Sequence, residues 1–280
     1  MGNDSGILVR VPSQSKYLLF VCVMAVAQVL SGTPGLVQAP ANSGLSAPQT
    51  TPGTTQQVSP APSQPLAEPP PSPQKTLAVV VLDPAHGGAD PGARGSSGIA
   101  ESDVVLSFAR LVRISLEAQG FRVILTRQAN DDPSFDDRSK TANAQRGNIF
   151  ITLHVASTGQ PGTVRVYSMP RMALPDSGAT SPHGSLLPWD RAQFNFIDQS
   201  RRLAEMIQIQ MAQRFHGSSE TPFEAPARQL RTVGAPAVAI EVSSVSVPSR
   251  APLDQMGPGL ADGVARAVAA FKIIYESGGK

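Results

Sequence analysis

Four residues in this chain have the types and placing that metal-assisted hydrolysis needs. His86 follows the aliphatic run Leu77 to Leu82 after the pair Asp83-Pro84, and His154 directly follows a second apolar run, Asn148 to Leu153. Glu101 opens a segment with helical apolar spacing, and Glu241 interrupts the apolar run Ala237 to Val242. Two imidazoles and a carboxylate form a known catalytic zinc set that leaves a fourth position for water. Zinc brings the pKa of that water toward about 7 and polarises a carbonyl, which amide hydrolysis at neutral pH requires. A second carboxylate must then accept the water's proton and pass it to the leaving nitrogen, and Glu241 is the candidate. A charge inside an apolar strand is expensive unless it has a role or a partner. Each residue also has a plainer reading. Either histidine suits a hydrogen-bonded loop position, and Glu101 suits the positive end of a helix dipole. Glu241 suits a buried ion pair with Arg231 or another arginine. Asp83 either hydrogen-bonds a ligand histidine or simply ends its strand.

The elements that must position these residues alternate between strand and helix. Leu77 to Leu82 delivers the loop DPAHGGADPGARG at its carboxyl end, and the glycines let that loop fold tightly around whatever His86 holds. Glu101 to Ala118 has apolar residues at 104, 105, 108, 111, 112 and 116, which predicts a helix with one buried face, stopped at Gly120. Phe121 to Thr126 predicts a second strand, Phe135 to Arg146 a polar helix, and Asn148 to Leu153 a third strand. Val164 to Tyr167 predicts a short strand, Pro170 to Trp189 an irregular insertion, and Ala192 to Phe215 a long helix. Ala237 to Val242 is a strand, and Leu260 to Tyr275 a closing helix. The expected fold is therefore α/β: a single domain with a mostly parallel central sheet and helices on both faces. In such sheets ligands bind at the carboxyl ends of the strands, where three of the four residues sit.

Composition narrows the function. A net charge of +2 over 280 residues, without a basic block, gives no case for nucleic acid. The one cysteine, Cys22, lies in the apolar N-terminal stretch, so the rest of the chain has no disulfide partner and no thiol nucleophile. HGGADPGARG lacks the spacing of a nucleotide-binding loop, and no GxSxG elbow is present for a serine hydrolase. Arg10 and Lys16 precede the apolar run Tyr17 to Leu30, and Val37-Gln38-Ala39 is a fitting cleavage site. Residues 1–39 are therefore expected to be a signal peptide, since the run falls short of the roughly 20 residues that span a bilayer. Residues 40–75, rich in Pro, Ser, Thr and Gln, are expected to be a disordered linker, and 76–280 the catalytic domain. His183 in the insertion and His216 just past a helix are expected to be solvated.

The domain resembles the zinc-dependent N-acetylmuramoyl-L-alanine amidases of the amidase 3 family from about Ala78 onward. DPAHGGADPGARG is similar to the family's first zinc-binding segment, and GIAESDVVLSFARLVRISLEAQGF to its second. VILTR, Arg138, Ala142-Asn143 and NIFITLH continue in the family's order, and QLRTVGAPAVAIEV resembles the segment with the catalytic glutamate. The resemblance implies His86, Glu101 and His154 as ligands of one Zn2+ per chain and Glu241 as the catalytic residue. It implies hydrolysis of the amide between N-acetylmuramic acid and L-alanine in peptidoglycan, in the periplasm or cell wall. Arg231 and Asp83 are further substrate-side or supporting candidates, and a protein activator is not named by the sequence. Ala85 departs from the family's usual glycine, and Val155-Ala156-Ser157 and Val242-Ser243-Ser244-Val245-Ser246 depart from the text after His154 and Glu241. These departures put substrate preference in doubt more than metal binding. Two alternatives stand beside this expectation: a non-catalytic peptidoglycan-binding module on the same scaffold, and a zinc hydrolase of another amide.

Overall fold

The computed structural model describes residues 76–171 and 188–278. The expected signal peptide and linker lie outside the described residues, as do most of the 170–189 insertion and His183. The strands are β1 (Val79–Pro84), β2 (Arg122–Leu125), β3 (Asn148–Ala156), β4 (Val164–Ser168), β5 (Phe223–Glu224) and β6 (Ala237–Ser243). They form one sheet in the order β2-β1-β3-β6-β4-β5. The first four in that order run parallel, and β4 lies antiparallel to β6. The α/β architecture expected from the alternating pattern is the one observed.

Alternate side chains on a strand face opposite sides of the sheet, and here the two sides differ. Val80, Leu82, Ile149, Ile151, Leu153, Val238 and Ile240 pack into a large core with α1 (Glu101–Ala118), α3 (Ile197–Arg214) and α5 (Ala251–Glu276). Val79, Val81, Phe150, Ala237 and Ala239 join a smaller core that includes Ala142 of α2 (Phe135–Asn143) and Leu230 of α4 (Arg228–Arg231). Among the described residues, short helices leave the carboxyl end of this second face only partly covered, and the half-buried His154 and Glu241 lie there.

Several elements differ from the sequence pattern for physical reasons. Asp83 and Pro84 are part of β1, which runs through to Pro84; they pair in register with Thr152 and Leu153. His154 lies within β3 rather than after it, as the register partner of Glu241. The polar helix α2 stops at Asn143, three residues early, and Asn148 Nδ2 donates to the Ala142 carbonyl just past its end. The segment before α3 is a 3-10 helix, Trp189–Phe196. The closing helix begins at Ala251, nine residues before the first residue of the expected helix, and carries Pro258 inside it. The Gly257-Pro258-Gly259 text reads as a helix breaker, but it serves close packing. A Cβ at Gly257 would lie 2.6 Å from Leu111 Cδ1 of α1, so a larger residue there would push that side chain aside. The tertiary contact outweighs the weak local propensity.

Candidate metal centre

The structure brings His86, Glu101 and His154 together, each offering a ligand atom within 4.8 Å of the others. Each comes from a different element. His86 sits two residues beyond β1, Glu101 is the first residue of α1, and His154 faces the uncovered side of β3. Glu101 lies between the two rings. Its Oε1 is 2.9 Å from His154 Nδ1 and its Oε2 is 3.3 Å from His86 Nε2. Backbone N–H groups of Val155 and Ala93 donate to those same oxygens at 2.9 and 2.8 Å. The imidazoles meet edge-on with centroids 5.5 Å apart.

The surroundings hold this geometry. His86 Nδ1 is 2.6 Å from Asp90 Oδ2, so a proton on Nδ1 is fixed there and Nε2 is left to face the cluster. His86 itself has φ 60, a left-handed conformation that costs an L-residue about 1–2 kcal/mol. Two buried arginines hold the strained turn. Arg138 donates to the carbonyls of Pro84 and His86, and Arg127 to those of Pro84, Ala85 and Ser102. The Ser102 bond ties the His86 loop to the first turn of the helix that carries Glu101. Gly92 closes the loop over the site at φ 65, and a Cβ there would lie 2.5 Å from Glu101 Oε2 and 2.6 Å from His86 Cδ2. No larger residue fits without displacing two of the three ligand candidates.

Asp83 has a different place from either one expected. It is fully buried within β1 and touches neither histidine. Its Oδ1 accepts from Arg138 Nη1 at 2.6 Å and Thr126 Oγ1 at 2.5 Å, and its Oδ2 from Thr152 Oγ1 at 2.9 Å. Asp83 therefore acts on His86 through Arg138. Arg231 is exposed at the end of α4, and it is not the cation beside Glu241. That cation is Arg165 of β4, whose Nη1 lies 3.2 Å from Glu241 Oε1. His216 is exposed in the turn after α3.

Electrostatics follow from this packing. Burial draws the His86 imidazole down, but the hydrogen bonds and charges of Glu101 and Asp90 outweigh it and push its pKa up to about 9. Burial draws Glu101 up, yet its bonds to His154, His86 and the Ala93 N–H hold it well below the ordinary carboxylate range. Asp90 is also lowered, its partners His86 and the Gly92 N–H outweighing burial. A carboxylate kept ionised between two imidazoles matches the donor chemistry of a divalent metal site of mixed nitrogen and oxygen ligands. A cleft of about 370 Å³ opens beside His86, walled in part by Asp90, Asp132, Phe135 and Arg228.

The family model for N-acetylmuramoyl-L-alanine amidases (Amidase_3) matches residues 80–268. The chain belongs to that family. Its members among the similar proteins include the N-acetylmuramoyl-L-alanine amidase AmiC of Neisseria meningitidis, 27% identical over 194 residues, covering 61% of this chain and 46% of the relative. The sporulation-specific N-acetylmuramoyl-L-alanine amidase of Bacillus subtilis is 32% identical over 129 residues, covering 45% of this chain and 48% of the relative. The chain thus spans less than half the length of either relative. The solved structure of the amidase AmiC2 of Nostoc punctiforme shares the fold with a TM-score of 0.54 at 23% identity, covering 69% of this chain and 96% of that one. The family match takes in His86, Glu101, His154 and Glu241.

Proposed function

We propose that this chain is a zinc-dependent amidase that hydrolyses the bond between N-acetylmuramic acid and L-alanine in peptidoglycan. The observation that carries this reading is the clustering of His86, Glu101 and His154 within 4.8 Å, with Glu241 the register neighbour of His154 on the same open face. His86 through Nε2, Glu101 and His154 would hold the ion. Zinc in such a set supplies Lewis acidity, lowering the pKa of water toward about 7 and polarising a carbonyl oxygen. Glu241 takes a proton from the attacking water and delivers it to the amide nitrogen as that bond breaks. Asp90 keeps the His86 ring in the tautomer that presents Nε2. The cleft beside His86 gives room for one limb of the substrate.

In the same reading, residues 1–39 export the chain and 40–75 tether the catalytic domain, placing it where peptidoglycan lies. Among the described residues no helix is long and apolar enough to cross a membrane. N-terminal sequencing of the exported protein checks this division, and a mature chain that begins with Met1 contradicts cleavage.

The activity is tested by incubating the zinc-loaded protein with purified peptidoglycan and identifying released fragments by mass spectrometry. Free stem peptides that begin with L-alanine, abolished by a chelator and restored by zinc, are expected. One zinc per chain with no fragments released would contradict the amidase reading.

A further inference from the structure

Glu241 is held by a strand that runs against its own. β4 is antiparallel to β6 and places Arg165 opposite Glu241 in register, with Tyr167 two positions along on the same side. Both side chains donate to one oxygen of the carboxylate. Arg165 Nη1 lies 3.2 Å and Tyr167 Oη 3.1 Å from Glu241 Oε1. Among the described residues no hydrogen bond reaches Oε2.

Both donors are themselves confined. The loop after β3 passes so close that a Cβ on Gly159 would lie 2.8 Å from Arg165 Nη2. The Tyr167 ring packs on Phe223 with centroids 5.6 Å apart. Burial and the charge of Glu241 raise the Tyr167 phenol, so it stays protonated and remains a donor at neutral pH. A glutamate's terminal torsion is broad and two-fold, so its two oxygens are interchangeable unless something distinguishes them. Two donors on one oxygen do so. That oxygen's lone pairs are engaged, one of them by a charge-assisted bond, and the other oxygen keeps its own free.

We propose that Arg165 and Tyr167 are positioning residues for the hydrolysis, fixing Oε1 so that Oε2 of Glu241 carries the proton. The O–H bond of water breaks as its oxygen bonds the carbonyl carbon, and the proton goes to Oε2. The same proton then passes from Oε2 to the amide nitrogen as the carbon–nitrogen bond breaks, leaving a carboxylic acid and an amine. This inference rests on the assignment of Glu241 as the general base.

The test measures kcat, KM and bound zinc for the full chain acting on a soluble N-acetylmuramoyl-peptide, comparing Arg165→Gln, Arg165→Lys, Tyr167→Phe and Glu241→Gln. Arg165→Gln is expected to lower kcat about ten- to a hundredfold, the loss of one charged hydrogen bond, with KM and zinc content close to wild type. Arg165→Lys keeps the charge and regains a large part of that loss, and Tyr167→Phe shows a smaller fall in kcat. Unchanged kcat in Arg165→Gln, or a loss confined to KM, would overturn the proposal, the latter by making Arg165 a substrate anchor. Equal losses in Arg165→Lys and Arg165→Gln accompanied by zinc release would overturn it as a folding effect. Glu241→Gln separates the two levels. If it is inactive while Arg165→Gln is normal, only the positioning role fails; if it retains turnover, the general-base assignment fails as well.

Discussion

The two halves of the site are held in different ways. On the His86 side the backbone is clamped by buried guanidinium groups: Arg127 and Arg138 occupy the carbonyls of Pro84, Ala85 and His86, and Arg138 is neutralised by Asp83. On the Glu241 side the carboxylate stands on a regular strand, half-buried, held through its side chain by Arg165 and Tyr167. A divalent ion needs its ligands within a few tenths of an ångström, and a clamped backbone supplies that. The proton transfer proposed for Glu241 needs a group that can approach and release its proton, and a side chain with one oxygen unbonded among the described residues suits it. The difference teaches that damage on the first side costs fold and metal together, while damage on the second side costs turnover alone.

The largest effect is expected where the clamp is broken. Arg138→Met leaves Asp83 buried without its partner, which should cost about 3–5 kcal/mol in urea denaturation and abolish zinc binding. A stable variant that still binds zinc would show that the clamp is dispensable. A smaller and more local effect is expected at Asp90. Asp90→Asn should weaken zinc binding about 10- to 100-fold by calorimetry, with a smaller loss of stability than Arg138→Met.

Acidity sharpens the comparison further. In the metal-free chain His86 is raised from 6.5 to about 9, so its pairing contributes stability that is complete below pH 6.5 and lost as pH rises through about 9. Glu101 is depressed, so its contribution is present above its ordinary value of 4.5 and lost only as pH falls through its lower folded value. The metal-free chain should therefore lose thermal stability between about pH 6.5 and 9. Zinc affinity should rise over the same window, because the ion displaces the His86 proton. A melting temperature and zinc affinity that both stay flat there would contradict the assignment. The smallest effect is expected on the helical face away from the site. Ile114 of α1 is 63% exposed, and Ile114→Lys should change stability by no more than about 0.5 kcal/mol and leave zinc binding untouched.

Much of this molecule was legible in its sequence, because apolar runs of strand and helix length alternate and end in polar residues. The positions of His86, Glu101, His154 and Glu241 at one end of a parallel sheet follow from that alternation. The residues that hold them do not. Arg127 reaches Pro84 across 43 positions and Arg165 reaches Glu241 across 76. An arginine that serves distant carbonyls looks like any surface arginine until the strands are ordered. Arg165 also depends on the reversed direction of β4, which a five-residue strand does not announce. The one local signal was Asp90, an acid four residues after His86 in a glycine-rich loop. Asp83 and Arg231 have side chains suited to the chemistry, but burial sends the first to Arg138 and the second is exposed at the end of α4.

The most direct test of the account is to measure bound zinc and peptidoglycan turnover together in Glu241→Gln. One zinc per chain, as in wild type, is expected, with turnover reduced to near zero. Retained turnover would remove Glu241 from the chemistry, and loss of zinc would show that the two halves of the site are not held separately.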